Sequence, residues 1–547
     1  MNTSNDGVVR YERPTVYHTL NKEILGRMER NDPSIAGLKI GENMDLMEGV
    51  DRVVGECTVL RHLKIELRQC PNDRQCFWYH DFFRGLSRNR SIESLTLVLA
   101  YVGASQDIFC NIFHILAPFF EYNRNLRYIH MGGQTHIFKY FASMLSKSNM
   151  NCQVQHFSQT LYDGASDEDH AKLISSLNSM PFMSELHLSS SRLGKPGYIE
   201  LANLLNKWSS KIQYLHMDLE IANECAAILS NALIANNKLI ELSLSSNHQV
   251  TTASWRTIFK VFLHPTCTLK RLSLQFNHFD DEEVICLGNA LAVNRTLKYL
   301  DLGFNADITS RGWQGFAKCL RNCDWALEEL DFKNCWIDDD GAAAIVNALV
   351  GNLSIKKLIL DNVSQITSAG WKLIFIVLLN NVPTLEDLVT TIEQEDDPDY
   401  IDWMTNMDWT IISRALCDDS NINATHTSNH SFHTIRGTDC DMIDELLPEE
   451  ILSQLLMNRN EKNKTKVARQ KILKQHFSEG NTNIHKFHRM QLTSLPFALE
   501  WIGRDKCELS LMYSVVRELP TLFHVSDQEQ GQRAKKQRTM SNQRCRD

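Results

Sequence analysis

A curved α/β solenoid, with a parallel sheet on its inner side and helices on its outer side, is the fold that the sequence predicts. The apolar pattern L-x-x-L-x-L recurs along most of the 547 residues, with the internal alternation of a β-strand. Between the copies, the apolar spacing changes to the helical period. A single strand and helix cannot bury their apolar faces alone, so stacked copies are expected to build one continuous core.

Thirteen strands are predicted from this pattern. The five clearest begin 28 or 30 residues apart, at Leu239, Leu269, Leu297, Leu327 and Ile355. The others begin at Ile35, Leu60, Ile92, Leu126, Val154, Met183, Ile212 and Leu385. The copy at Val154 is the least regular. So many copies in one register exclude a chance pattern.

Asparagine recurs at two positions of the repeat. Eight residues after the first apolar residue of a copy stand Asn43, Asn247, Asn277 and Asn305, with Cys335 in the same place. Three residues before the first apolar residue stand Asn89, Asn123, Asn236, Asn294 and Asn352. Both positions lie where the chain turns into or out of a strand. We therefore expect these side chains to bond backbone groups that no strand ladder reaches.

The segments between strands have the features of helices. In the clearest one, Asp280 to Glu283 form an acidic opening, which suits a helix N-terminus because free N–H groups and the dipole favour negative charge there. Trp255, Trp313 and Trp371 lie 58 residues apart on alternate segments. The true unit is therefore a pair of repeats, and the three tryptophans are predicted to be structural.

This alternation resembles the ribonuclease-inhibitor type of leucine-rich repeat, whose units of roughly 28 and 29 residues each pair a strand with a full α-helix. The resemblance covers about residues 35 to 390 and implies a fold rather than an activity. A second resemblance, to a large and mostly uncharacterised set of leucine-rich-repeat proteins in diatoms, extends to about residue 525 and implies no established activity. It is carried by residues 308–313, 366–371, 428–430, 468–472, 501–505 and 517–523.

Five segments are predicted along the chain. Residues 1–34 are expected to cap the N-terminal end and residues 35–395 to form the solenoid. An acidic break leads into a degenerate repeat with a polar loop over residues 396–441. Helical spacing then predicts a C-terminal cap over residues 442–525, because an array needs an atypical unit to cover its last apolar face. Residues 526–547 are basic, nearly free of apolar residues and expected to be disordered.

Composition argues against nucleic-acid and membrane binding by the body of the chain. The net charge is −9, whereas phosphate contact depends on Lys and Arg. Neither a signal-peptide core nor an uncharged apolar stretch of about 18 residues is found. The fifteen cysteines, an odd number scattered through apolar segments, are typical of reduced core thiols. We expect a cytoplasmic protein, or a nuclear one if the basic run at 535–538 is an import signal rather than a nucleic-acid contact or a passive end.

No catalytic residue, cofactor site or enzyme activity is predicted. The chain has no G-x-x-x-x-G-K-[ST] loop, H-E-x-x-H helix, G-x-S-x-G elbow or G-x-G-x-x-G turn. The spacing of Cys70, Cys76 and His80, with His62 upstream, mimics the ligands of a zinc finger. Because aromatic residues here fit a repeat helix and His62 falls on a strand, repeat-core residues are predicted and a metal site is not.

The predicted binding site is the concave face, because the side chains between the leucines of each strand point away from the core. Its residues are Tyr128, His130, Glu185, His187, Tyr214, His216, Asp218, Glu241, Arg271, Asp301, Glu329, Asp331, Lys333, Lys357, Asp361 and Asp387. From Glu185 onwards these include eight acids and three bases, which favours a basic protein surface over nucleic acid. A merely solvated surface is the alternative.

His187 and His216 occupy equivalent positions on neighbouring repeats, so their side chains are expected about 5 Å apart. A pH-sensitive protein contact, a metal ion and no role at all are the alternatives for this pair.

The sequence thus predicts a noncatalytic scaffold that binds a protein partner through its concave face, with affinity from a few aromatic and charged side chains. Two alternatives stay open. One is a regulator of a small GTPase, because the Ran GTPase-activating protein also follows ribonuclease-inhibitor-type repeats with acidic sequence, although its acidic segment is longer and terminal. The other is a substrate-recognition subunit of a ubiquitin ligase, although no F-box is recognised before the repeats.

Overall fold

The structure is a computed structural model of the 547-residue chain. It describes residues 16–41, 47–67, 73–99, 106–147, 153–161, 166–207, 209–321, 326–363, 365–390, 408–420, 422–436 and 447–476. Several features predicted above lie outside these residues. They are Asn43, Cys70, residues 1–15 of the expected N-terminal cap, residues 396–407 and 437–441 of the expected degenerate repeat, residues 442–446 and 477–525 of the expected C-terminal cap, and the basic tail at 526–547.

Two compact units make up the chain, residues 1–337 and residues 338–547. Both are built from the same alternation of strand and helix. The boundary falls after the last strand of the first unit and before the helix at Asp339–Ala348. It therefore separates two stretches of one repeating pattern rather than two different folds.

The first unit contains twelve strands in the described residues, each paired in parallel with the next along the chain. The strands are β1 (His18–Thr19), β2 (Gly37–Ile40), β3 (His62–Leu67), β4 (Ser94–Leu99), β5 (Tyr128–Gly133), β6 (His156–Leu161), β7 (Glu185–Arg192), β8 (Tyr214–Glu220), β9 (Glu241–Ser243), β10 (Arg271–Ser273), β11 (Tyr299–Asp301) and β12 (Glu329–Asp331).

Helices connect these strands. They are α1 (Lys22–Glu29), α2 (Val50–Glu56), α3 (Asp73–Arg88), α4 (Gln106–Tyr122), α5 (Thr135–Lys147), α6 (Asp167–Ser176), α7 (Gly194–Asn206), α8 (Ala226–Ala235), α9 (Thr252–Ile258), α10 (Lys260–Leu263), α11 (Asp281–Leu291) and α12 (Ser310–Arg321). Neighbouring strands of a sheet lie about 4.8 Å apart, whereas packed helices need about 8–10 Å. The strand side is therefore the inner, concave side of the unit.

The second unit continues the pattern and then adds helices. Its elements are α13 (Asp339–Ala348), β13 (Lys357–Leu360), α14 (Ser368–Asn381), β14 (Asp387–Thr390), α15 (Trp409–Leu416), α16 (Ile422–Thr427), β15 (Thr434–Arg436), α17 (Glu449–Asn460) and α18 (Lys464–His476). Strands β13, β14 and β15 pair in parallel in that order.

The thirteen predicted strands are confirmed in the described residues as β2 to β14, and the α/β solenoid with them. Two short strands, β1 and β15, were not predicted. The registers Leu186↔Leu215 and Leu215↔Leu242 stack equivalent leucines of successive repeats, each at most 1% exposed. One row of the L-x-x-L-x-L pattern therefore forms the continuous core.

Strand β15 lies inside the segment predicted to be a degenerate repeat with a polar loop, residues 396–441, for which no strand was assigned. The side chain of Asn429 accepts hydrogen bonds from the amides of Ser431 and Phe432, the turn that precedes other strands of the array. Phe432 and Ile435 then occupy the first two apolar positions of a repeat, 0% and 1% exposed. Few apolar residues surround this copy in the sequence, which is why the pattern did not reveal it.

The asparagines that follow the strands form a ladder, as predicted. The amide N–H of Asn247 donates to Oδ1 of Asn277 at 2.7 Å, and that of Asn277 donates to Oδ1 of Asn305 at 3.0 Å. The Asn305 side chain in turn donates to the carbonyls of Leu274 and Leu302. One buried amide per repeat therefore satisfies the turn of its own repeat and that of a neighbour.

The asparagines that precede the strands act in the same way. Asn89 is 0% exposed, and its Oδ1 accepts from the amides of Ser91 and Ile92. Its Nδ2 donates to the carbonyls of Val54 and Cys57 in the preceding repeat. These contacts tie each helix–strand turn to the repeat before it.

The sequence that leads into α12 recurs before α14, at residues 308–313 and 366–371, and the glycine in it has a steric explanation. The amide of Thr309 donates to Asp281 at 2.8 Å, and a Cβ at Gly312 would overlap the same carboxylate. Glycine is therefore needed where the Asp281 side chain crosses from the preceding helix. Trp313, one residue later, is 0% exposed and fills the core between repeats.

The predicted burial of all three spaced tryptophans is confirmed: Trp255, Trp313 and Trp371 are 1%, 0% and 3% exposed. The acidic opening of α11 is also confirmed as a helix start, because Asp280 and Glu283 form a capping box. Within the described part of the chain, no helix combines the length and apolar character needed to cross a membrane.

Candidate protein-binding face

Strand side chains that alternate with the buried leucines carry the predicted face. In the first unit these are Tyr128 and His130 on β5, Glu185 and His187 on β7, Tyr214, His216 and Asp218 on β8, Glu241 on β9, Arg271 on β10, Asp301 on β11, and Glu329 and Asp331 on β12, with Lys333 just after it. In the second unit they are Lys357 on β13, Asp361 just after it and Asp387 on β14.

The parallel register of the first unit arranges these residues, except Asp218 and Lys333, in two rows across the strands. The first row runs Tyr128, His156, Glu185, Tyr214, Glu241, Arg271, Tyr299 and Glu329. The second row runs His130, Ser158, His187, His216, Ser243, Ser273, Asp301 and Asp331. Side chains of one row are cross-strand neighbours, so charges along it interact directly.

Histidines and carboxylates pair along the N-terminal half of this face. His156 Nδ1 lies 2.6 Å from Glu185 Oε2, and His187 Nε2 lies 2.8 Å from Asp218 Oδ2. The rings of His187 and His216 have centroids 5.6 Å apart, which confirms their predicted proximity. The face is therefore a connected network of titratable groups.

The network continues through Glu241. His216 Nε2 lies 3.9 Å from Glu241 Oε1, and Arg271 Nε lies 3.3 Å from Glu241 Oε2. The Arg271 guanidinium also lies 3.9 Å from the ring centroid of Tyr299, a cation–π distance. Arg271 is thus held on the face by both neighbouring strands.

The pKa values of Glu185 and His216 are both below their usual values. Burial is the largest effect on Glu185 and raises its pKa, but the hydrogen bond and the charge of His156 outweigh it and leave the pKa below its usual value. Burial lowers the pKa of His216, against the opposing charges of Glu241 and Glu185. At neutral pH the face therefore keeps the Glu185 carboxylate and an uncharged His216.

Three of the predicted aspartates are buried rather than exposed on the concave face. Asp301, Asp331 and Asp361 are 2%, 9% and 2% exposed. Asp301 Oδ1 accepts from the amide of Gly303 at 2.9 Å, and Asp331 Oδ1 accepts from the amide of Lys333 at 2.9 Å. Burial raises the pKa of Asp301. These carboxylates hold the turns after their strands, so the accessible negative charge is smaller than the sequence suggested.

Two members of the first row were missed from the sequence. His156 falls in the least regular copy, where Val154 and Phe157 alone marked the strand. Tyr299 precedes Leu300 on β11 and belongs to the row by register with Arg271. Numbering every strand from its second apolar residue would have found both positions.

Aromatic side chains at the end of the strands were also missed. We use "aromatic rim" for Phe276, Phe304 and Trp336, which stand beside the ladder positions Asn277, Asn305 and Cys335. Phe276 and Phe304 stack with ring centroids 4.0 Å apart. Phe276 is 41% exposed and Trp336 is 57% exposed. The signal in the sequence was a large apolar residue in a turn.

Backbone strain accompanies the stacked rings. Phe276 has φ 53° and Phe304 has φ 59°, in the left-handed region. The same position in neighbouring repeats holds Ser246 and Asn334, with φ 62° and 55°. Bulky residues rarely adopt this conformation, which costs about 1–2 kcal/mol per residue, whereas Asn tolerates it. Two phenylalanines therefore stand where the fold alone would favour asparagine.

The zinc-finger-like spacing does not assemble a described site. His62 lies on β3, where burial lowers its pKa, and His80 is exposed beside Asp81 on α3. Cys70 is outside the described residues, and the Cys76 side chain is too. Among the described residues, no three His, Cys, Asp or Glu side chains are grouped to hold a metal ion.

Comparison with known families finds one match. The profile of a family described as Leucine Rich repeat matches residues 267–288, 293–317 and 327–346. These segments contain β10, β11 and β12, most of α11 and α12 and, in the second unit, most of α13.

Individual relatives cover a third of the chain. The ribonuclease inhibitor of Mus musculus is 29% identical over 181 residues, 33% of this chain and 39% of that protein. The NACHT, LRR and PYD domains-containing protein 4E of Mus musculus is 29% identical over 175 residues, 32% of this chain and 18% of that protein. This chain thus spans well under half the length of either relative.

Solved structures are more distant. The leucine-rich repeat-containing protein LegL7 from Legionella pneumophila is 15% identical, with a TM-score of 0.35, over 58% of this chain and 93% of that one.

Proposed function

We propose that this chain, a leucine-rich-repeat protein of the ribonuclease-inhibitor type, is a noncatalytic scaffold that binds a protein partner through the concave face of its first unit. The partner contacts the two rows of strand side chains and the aromatic rim beside them. This function needs no cofactor, and repeat surfaces of this kind commonly serve recognition.

The observation that carries the proposal is the stacked pair Phe276 and Phe304. Their rings are partly exposed, and their left-handed backbones carry strain that asparagine would avoid. Strain of this kind is typically kept at functional sites rather than for stability. Rigid aromatic side chains also supply most of the affinity at protein interfaces.

The charges beside the rim favour a partner with a basic surface. Glu185, Asp218, Glu241 and Glu329 are all half-buried on the same face, against Arg271 and Lys333. Arg271 is already paired with Glu241, which leaves a net negative potential for the partner. Complementary positive charge would speed association and orient the complex.

The experiment compares partner capture by wild type and two variants. Phe276→Asn with Phe304→Asn removes both rings and relieves the backbone, so the fold is expected to be retained or stabilised while the partner is lost. Phe182→Ala is the matched control, because Phe182 is also an exposed ring in the first unit but precedes strand β7 and is not part of the aromatic rim. Tagged full-length proteins are isolated from cells and their bound proteins are compared by mass spectrometry.

The outcomes separate the proposal from its alternatives. Proteins bound by wild type and Phe182→Ala but absent from the double variant support the concave face. A bound small GTPase or ubiquitin-ligase subunits among them would assign the partner to one of the two alternative classes. Identical sets from all three proteins would contradict the proposed site.

A further inference from the structure

A polar cavity of about 350 Å³ lies in the second unit, away from the proposed partner face. Four elements of the unit form it: the C-terminal end of α14, α15, the segment from α16 to Ser431, and the start of α18. Arg414, Lys464, His430, Ser431 and Asn380 are among its lining residues. It belongs to none of the features discussed above.

We propose that this cavity binds a small phosphate-bearing ligand through Arg414 and Lys464. The ligand class is inorganic phosphate, pyrophosphate or a small phosphorylated metabolite. The proposal is independent of the proposed function, because it concerns other residues and another unit.

Two cationic side chains reach the cavity from different helices. Arg414 is exposed on α15, and Lys464 is the half-buried first residue of α18. Within the described residues, neither has a carboxylate within ion-pair distance. Partial burial lowers the pKa of Lys464, with only the more distant charge of Glu386 opposing it. A bound anion would supply the counter-charge that Lys464 lacks.

A third cation lies beneath the cavity wall. Lys471 is 0% exposed, and its Nζ donates to the carbonyls of Leu416 at 2.6 Å and Asn429 at 3.0 Å. Burial lowers the pKa of Lys471 to about 7. Burial and the charge of Lys471 together lower the pKa of His430 to about 4, and Lys464 adds to this. At neutral pH, Lys471 is therefore only partly charged and His430 is uncharged, so most of the positive charge at the cavity comes from Arg414 and Lys464.

One carboxylate borders the cavity, and it is already engaged. Asp418 Oδ1 accepts from the amide of Ser420 at 2.9 Å, so the side chain is bound to its own turn. Among the lining residues, two cations, Arg414 and Lys464, stand against this single acid. The lining of the cavity is therefore net positive.

The walls are held in place by internal hydrogen bonds. Asn429 Nδ2 donates to the carbonyl of Leu379 at 3.0 Å, and its Oδ1 accepts from the amide of Ser431 at 2.9 Å. The Ser428 hydroxyl accepts from the amide of Asp418 and donates to the carbonyl of Ala424. A site organised before the ligand arrives loses less free energy on binding.

The donors that remain match a phosphate group. Arginine presents a planar fork for two oxygens, and lysine presents a point charge. The Ser431 hydroxyl makes no hydrogen bond to another described residue and adds a neutral donor. A volume of about 350 Å³ is near the lower end for ligand sites, which fits a small ion or metabolite and excludes a folded polynucleotide.

Titration calorimetry on the full-length protein with inorganic phosphate and with pyrophosphate tests the proposal. Wild type is expected to bind at least one of them, and pyrophosphate more tightly because it carries more charge. Arg414→Gln and Lys464→Gln should each weaken binding about tenfold, the usual effect of removing one charge-assisted hydrogen bond. Lys462→Gln is the matched control, because Lys462 is exposed two residues from Lys464 and does not line the cavity.

Weakened binding in the two cavity variants, with wild-type melting temperatures and an unaffected Lys462→Gln, supports the site. Glucose 6-phosphate as a third ligand shows whether a phosphorylated metabolite or the free ion is preferred. Equal weakening in all three variants, or no binding of any of the three ligands at millimolar concentration, overturns the proposal.

Discussion

His187 and Asp218 are joined across strands β7 and β8 by a 2.8 Å contact between Nε2 and Oδ2, with 37% and 38% of their side chains exposed. The pair lies next to the ring of His216. Because both partners are partly solvated, the contact contributes little to the free energy of unfolding. Because this contact lies on the concave face, replacing one of its residues tests partner binding rather than folding.

Replacing Asp218 with Ala is expected to change the free energy of unfolding by less than about 1 kcal/mol. It should nevertheless weaken capture of the protein partner, because it removes negative charge from the face. Glu282→Ala is the control, since Glu282 pairs with Arg311 at 2.9 Å on the helix side. Denaturant titration and partner capture are measured for both. Equal losses of capture would contradict a site confined to the strands.

Trp313 and Trp336 differ in exposure and give a matched pair for the core. Trp313 is 0% exposed, so Trp313→Ala should cost about 3–5 kcal/mol. Trp336 is 57% exposed. Its backbone carbonyl, not its ring, accepts a hydrogen bond from Trp313 Nε1 at 3.1 Å. Trp336→Ala should therefore leave the urea midpoint nearly unchanged. A Trp313→Ala protein with the wild-type midpoint would show that this ring is not part of the core.

The asparagine ladder predicts a large effect from one amide. Asn305 is 0% exposed. Its side chain donates to the carbonyls of Leu274 and Leu302 and accepts from the amide of Asn277. Asn305→Ala leaves these groups buried without partners and should cost about 3 kcal/mol or more. Asn289→Ala, on the exposed side of α11, is expected to have little effect. Similar unfolding curves for both variants would refute the structural role of the ladder.

His430 predicts a pH dependence of stability in the second unit. Its pKa in the folded protein is about 4, against 6.5 for an unperturbed histidine, because burial and Lys471 oppose the charged form. Between these values the unfolded chain binds more protons, so stability falls as pH is lowered from about 6.5 to 4. The loss attributable to this group is at most about 3 kcal/mol.

Unfolding of wild type and His430→Gln at pH 7.5, 6 and 5 measures this effect. The variant should lose less stability than wild type over the same interval, because glutamine does not titrate. Parallel pH profiles for the two proteins would exclude His430 as the source.

The sequence by itself determined the strands, the turns and the spaced tryptophans. Alternating apolar residues mark a strand wherever its inner face is buried, and an asparagine at a turn marks backbone groups that need a partner. Both signals are local, so they could be recognised without the fold. Strand β15 escaped because its few apolar residues gave a weak signal, although Asn429 stood in the expected place.

Only the tertiary structure decided which polar residues remain accessible. Asp301 and Glu241 both alternate with buried leucines on their strands, yet Asp301 is buried, and Gly303, Ser273 and Tyr299 all donate to it. The stacking of Phe276 on Phe304 and the meeting of Arg414 with Lys464 at one cavity likewise join residues 28 and 50 positions apart. Burial and clustering depend on side chains brought together from distant parts of the chain. The periodicity within one repeat therefore does not predict them.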